Sequence, residues 1–166
     1  SWRLFSPLSM GSPPVAMRRL TAPRECDKSR SASIADRTMQ QLLSICLGGA
    51  IGTGARYLVG LWAAAALGTG FPFGTLIVNT LGSFLIGVVL VLGLDFDVLS
   101  PPWRVFLATG VMGGFTTYSS FNYETLALVK GGAWTLAALN VLGTLSAAAV
   151  AGLLGAYVGA RLGAGG

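Results

Sequence analysis

Four runs of apolar residues, separated by short polar connections, dominate the chain from residue 39 onward. They cover about 41–66, 74–94, 103–129 and 133–161. Each reaches the roughly 20 residues that an α-helix needs to cross a bilayer. The connections carry breaker residues: Gly70-Phe71-Pro72-Phe73, then Ser100-Pro101-Pro102-Trp103, then Lys130-Gly131-Gly132. Connections this short set neighbouring helices antiparallel, so both ends of the four-helix unit lie on one side of the membrane. The pattern predicts an all-α membrane protein with four transmembrane helices.

The third run interrupts its own pattern. Residues 110–121 read Gly110-Val111-Met112-Gly113-Gly114-Phe115-Thr116-Thr117-Tyr118-Ser119-Ser120-Phe121. Such a stretch cannot hold a plain lipid-facing helix, so the third helix is expected to be broken here. A break exposes backbone N–H and C=O groups, which is tolerated only where protein or a wet cavity receives them. Breaks near the midplane are where ion-handling membrane proteins bind their ions. Carbonyls freed at Gly113 or Thr116 would suit a hard cation such as Na⁺. The aromatics offer the opposite, because a ring has a negative face and a positive edge, and an anion meets the edge. Tyr118 and Phe121 are three apart and can project toward one path. The residues leave both ions open, and the first reading is a small channel or transporter with its site in this segment.

The second run places Thr75, Asn79 and Ser83 at i, i+4 and i+8, on one helix face. Asn79 cannot face lipid cheaply, since an unsatisfied polar group there costs several kcal/mol. It is either glue to a neighbouring helix or a pore-lining donor. The fourth run repeats the idea with Asn140 and Thr144. Gly48 and Gly52, Ser83 and Gly87, and Gly155 and Gly159 are spaced as small residues that let helices approach closely. Arg56, the charge within the first run, either snorkels to the interface or raises the potential at a pore mouth. Glu124 lies seven residues past Thr117, near a helix end or a vestibule.

Composition agrees with a membrane protein: 53% of residues are hydrophobic and 10% charged, against roughly 25% charged in soluble domains. The net charge of +5 belongs mostly to residues 1–38, which hold seven basic and three acidic residues. That stretch is rich in Pro, Ser and Arg and is expected to be a disordered polar extension. Two accounts of it stand: a start placed upstream of the native one at Met39, or a basic tail on anionic lipid. Residues 39–166 form the membrane domain. Within it Arg104 and Arg161 fall on one side of the bilayer, Arg56 and Lys130 on the other. The positive-inside rule works through a Lys/Arg excess, and here the sides tie. Such a chain inserts both ways up, unless tail residues such as Arg37 supply a bias. Nothing points to nucleic acid. The chain has no His and two Cys, Cys26 and Cys46, read as free thiols. No paired carboxylates or nucleophile motif give enzyme chemistry a foothold.

Residues from about Met39 to Leu162 resemble the Fluc/CrcB family of small bacterial fluoride channels. Three blocks carry the likeness: Gly48 to Tyr57, Gly74 to Gly87, and Gly110 to Phe121. Their order, spacing and placement in helices one to three agree; the fourth helix matches more loosely. The resemblance implies an antiparallel, dual-topology homodimer with two pores in the bacterial plasma (inner) membrane, exporting F⁻ passively to relieve fluoride toxicity. It implies a structural Na⁺ at the dimer centre, held by the backbone carbonyls of Gly113 and Thr116. The family's paired pore phenylalanines fall on Tyr118 and Phe121, the first being Tyr here. Asn79 matches the family's pore asparagine, Ser119 a polar neighbour of the path, and Thr144 the polar track of the fourth helix. The main rival, a small exporter of organic cations, would need a membrane-embedded carboxylate to couple protons, and Glu124 is the candidate. A second rival, a membrane subunit without transport, leaves the three blocks unexplained.

Overall fold

The computed structural model describes residues 25–165, and every regular element among them is helical. Helix α1 runs Glu25–Leu67, α2 Phe73–Leu94, α3 Pro101–Arg104, α4 Gly113–Phe115, α5 Tyr118–Lys130 and α6 Trp134–Ala164. A π-helix, Val105–Met112, joins α3 to α4. Among the described residues Ser33–Leu67, Phe73–Leu94 and Trp134–Ala164 are helices long and apolar enough to cross a membrane. The remaining apolar run, α3 to α5, is the broken one. The chain is thus a multi-pass membrane protein.

The first helix starts at Glu25, earlier than the expected boundary, so residues 25–38 are helical rather than irregular. The reason is in the sequence: between Pro23 and Gly48 neither Pro nor Gly interrupts the chain, and nothing else there stops a helix. The rest of the expected extension, residues 1–24, lies outside the described residues.

Helix ends follow their local chemistry. Pro101 opens α3 at its first position, where its missing N–H is not needed. At the end of α5 the Ala133 N–H donates to the Leu128 carbonyl and the Gly132 N–H to that of Val129. Gly132 sits between them at φ 75°. This is the Schellman arrangement, which needs a left-handed residue and therefore favours Gly. It reverses the chain in a few residues and sends α6 back across the membrane.

Packing rests on small side chains. A Cβ at Gly48 would meet the Phe106 carbonyl at 2.9 Å, and one at Gly52 would strike the carbonyl of Val111. Gly114 in turn lies against the backbone of Gly49. So α1 presses its glycines directly on the π-helix and α4. On the other side Gly87 faces Gly152 and Gly155, Gly155 faces Phe84, and Gly159 faces Val88. Lipid supplies no hydrophobic drive between helices, so this close backbone approach is what holds α2 on α6. Large apolar side chains point outward instead: Leu58, Trp62, Leu142 and Leu153 are exposed. Trp103 and Trp134 are exposed at the beginnings of their spans, where aromatic rings suit the membrane interface.

Candidate functional site

The third span is interrupted at two residues. Thr116 (φ −79°, ψ 156°) and Thr117 (φ −152°, ψ 115°) are extended, with helix on either side. Thr117 caps α5: its Oγ1 accepts from the Ser120 N–H at 3.2 Å and donates to Ser120 Oγ at 3.0 Å. A threonine in this role satisfies one of the free donors at a helix start. The N-terminus of α5, with its positive dipole end, therefore opens at the middle of the span.

Asn79 on α2 holds the break open. Its Oδ1 accepts from the Thr117 N–H at 2.8 Å, and its Nδ2 donates to the Thr117 carbonyl at 3.1 Å. The amide thus pairs with an extended residue as a neighbouring strand would. With the Thr117 N–H taken, no backbone N–H of the described residues reaches the carbonyl of Gly113 or Thr116. Gly113 is exposed and has open space beside its Cα. Free carbonyl oxygens are the ligand type that hard cations such as Na⁺ take, so the residues present fit such an ion.

A cavity of ≈ 290 Å³ lies against the break, lined among others by Asn79, Ser83, Tyr118, Phe121 and Thr144. Four of the residues expected in an ion path, Asn79, Tyr118, Phe121 and Thr144, therefore come together from α2, α5 and α6. The rings of Tyr118 and Phe121 are 5.6 Å apart and tilted by 47°. Phe121 is buried, whereas Tyr118 is 75% exposed in the single chain. No charged side chain lines this cavity. Ser119 does not line it: the residue is exposed, and its Oγ lies 3.3 Å from Thr117 Oγ1.

A larger cleft of ≈ 810 Å³ opens on the other side of Thr117. Arg56 and Glu124 both line it, along with Thr75, Ser120 and Tyr123. They form no ion pair. Glu124 Oε1 instead accepts from the Thr75 hydroxyl at 2.9 Å, and Oε2 is buried without a partner. Its lining is mostly apolar, with Arg56 and Glu124 as the charged side chains on its wall.

Some of this machinery was not singled out from the sequence: the π-helix, the capping and clamping at Thr117, and the links made by Asn140. A Thr directly ahead of a helix is a recognisable start signal. It was masked by the length of the Thr/Ser run. Asn140 is fully buried and joins Thr125 to Thr144.

Residues 43–159 match the family described as CrcB-like protein, Camphor Resistance (CrcB). The chain belongs to the CrcB family. Over 120 residues it is 56% identical to the fluoride-specific ion channel FluC of Anaeromyxobacter dehalogenans, covering 70% of this chain and 95% of that protein. Over 125 residues it is 51% identical to the fluoride-specific ion channel FluC of Thermus thermophilus, covering 75% and 94%. The corresponding protein of Sorangium cellulosum is 47% identical over 127 residues, covering 76% of this chain and all 100% of the relative. The break, both spaces beside it and the residues that line them fall inside the CrcB match.

Proposed function

We propose that this chain is a fluoride-specific ion channel of the plasma membrane, not an enzyme, and that it lets F⁻ leave the cell passively and so relieves fluoride toxicity. The observation that carries the reading is the small uncharged cavity at the break, which gathers the Asn79 amide, several hydroxyls and two aromatic rings. The named function of the CrcB relatives supplies the ion. F⁻ is small and strongly hydrated, so a path must replace its water with donors of fixed geometry. Asn79 spends one N–H on Thr117 and keeps the other for the cavity. Tyr118 and Phe121 offer ring edges, and the start of α5 adds its dipole. Ser119 and Thr144 supply hydroxyls along the route, and Arg56 draws anions to the wider cleft.

The working unit in this reading is an antiparallel homodimer of oppositely inserted copies. Two features of the single chain support it. Gly113, Ser119 and Tyr118 are exposed at the middle of a membrane span, where lipid cannot satisfy free carbonyls and hydroxyls. Within residues 39–166 the Lys/Arg tie between the two sides leaves no orientational bias. A second copy, meeting the first through a self-complementary contact, would cover the break. A Na⁺ bound there by the Gly113 and Thr116 carbonyls of both copies would pin the breaks together; when bound it supplies fixed positive charge at the centre. The test is efflux from liposomes containing the purified protein, in which F⁻ is released rapidly and Cl⁻ hardly at all. Release of both halides at one rate would refute the fluoride reading.

A further inference from the structure

Asn140 lines neither of the two spaces beside the break. It is 0% exposed in α6, yet a directed chain of hydrogen bonds runs through it to the small cavity at both ends. The Thr125 hydroxyl donates to the Phe121 carbonyl at 2.8 Å. Its oxygen is then left to accept, and Asn140 Nδ2 donates to it at 2.9 Å. That fixes which way the amide faces. Asn140 Oδ1 is turned to Thr144, whose hydroxyl donates to it at 3.3 Å. Phe121 and Thr144, the two ends of the chain, both line the cavity.

We infer that Asn140 is a positioning residue of the ion path: through Thr125 it anchors the turn that carries Phe121, and through its carbonyl it orients the Thr144 hydroxyl. The inference rests on the reading of the small cavity as that path. A simple packing role would need only some partner for the amide. Here its partners are one cavity residue, Thr144, and the hydroxyl that holds another, Phe121. Because Asn140 and Thr144 are buried, the network polarises as a unit, and losing one member disturbs the others. The outer link is long for an O–H···O bond. A bond this long is weak, so turning the Thr144 hydroxyl toward an anion in the cavity costs little. Asn140 thereby sets the spacing of the α5 and α6 walls and the direction of a donor it shares with the ion.

The test uses the full-length protein in liposomes with four variants: Thr125→Val, Asn140→Leu, their combination, and Phe121→Ile as the reference for the path itself. Each single network variant should lower F⁻ flux about tenfold, the kinetic equivalent of one lost hydrogen bond. The combination should be no slower than the slower single, because both cut one chain. A fluorinated phenylalanine at position 121 should give one sharp ¹⁹F line in the parent and a split or broadened line in Thr125→Val. A role in packing alone would leave that line unchanged. Parental flux in both single variants, or losses that multiply in the combination, overturns the inference while Phe121→Ile still loses flux. Parental flux in Phe121→Ile overturns the path and the inference together. Should Asn140→Leu fail to fold, Thr125→Val decides, since it removes one hydroxyl at nearly constant volume.

Discussion

Asn79 and Thr117 are joined by two hydrogen bonds, side-chain amide to backbone amide, 2.8 and 3.1 Å long. One side chain thus answers the donor and the acceptor that a broken helix leaves in the membrane. It also lines the cavity. Of the two roles the sequence leaves open, glue is the one these bonds show, and pore donor is the one proposed for the same amide.

Asn79→Asp should separate these roles from mere bulk. It keeps the volume but loses the donor to the Thr117 carbonyl and sets a carboxylate oxygen against it. Leaving that carbonyl unpaired costs about 1–3 kcal/mol, to be read as a lower unfolding temperature in detergent. An ionised carboxylate would also repel the permeating anion. Fluoride efflux should fall tenfold or more, and parental efflux would contradict the assignment of Asn79 to the path.

The two rings make unequal demands. Phe121→Ile removes a ring edge while nearly conserving volume, a swap that costs under about 1.5 kcal/mol. The protein should therefore purify intact, with F⁻ flux down by an order of magnitude or more. Tyr118→Phe keeps the ring edge and should change flux little. Parental flux in Phe121→Ile would mean that its ring is not a contact that matters, and a large loss in Tyr118→Phe would put the demand on the hydroxyl instead of the ring edge.

Close approach of α1 to the π-helix gives a stability prediction. Gly52→Ala drives a methyl group into the Val111 carbonyl, an overpacking that costs about 1–3 kcal/mol. Gly143→Ala, with nothing within 4 Å of its new Cβ, should leave the unfolding temperature unchanged or slightly raised. Equal effects at both positions would mean that the glycine contacts do not hold the helices.

Much of this fold was legible because its signals are additive along the chain. The four apolar runs, the Gly/Pro connections and the glycine pairs each follow from bilayer thickness or helix spacing, and the structure places helices and contacts there. The break at Thr116 and Thr117 was legible as a polar interruption. Its partner was not: pairing of Asn79 with Thr117 depends on how α2 and the third span are set against each other, which no local pattern encodes. The same holds for Asn140, whose links to Thr125 and Thr144 join two helices. The π-helix is set by tertiary packing, since Val105–Met112 has no local sequence reason to widen its turn. Helix α1 begins at Glu25 rather than near residue 41 because polar composition alone does not stop a helix, and no Pro or Gly lies between Pro23 and Gly48.

Orientation gives a fourth prediction. A chain beginning at Met39 has equal numbers of Lys/Arg on the two sides of its spans and should insert both ways up. With Cys46→Ser and Gly131→Cys, a membrane-impermeant thiol reagent should label part of the population from each side. Labelling from one side alone would contradict the antiparallel dimer.

The most direct measurement of the central claim is halide efflux from liposomes containing the full-length protein, with F⁻ or Cl⁻ as the trapped anion. The account predicts rapid F⁻ release with Cl⁻ retained, and loss of that release in Phe121→Ile while the protein stays folded. Equal release of the two halides, or F⁻ release that survives Phe121→Ile, would contradict a fluoride path through the cavity at the break.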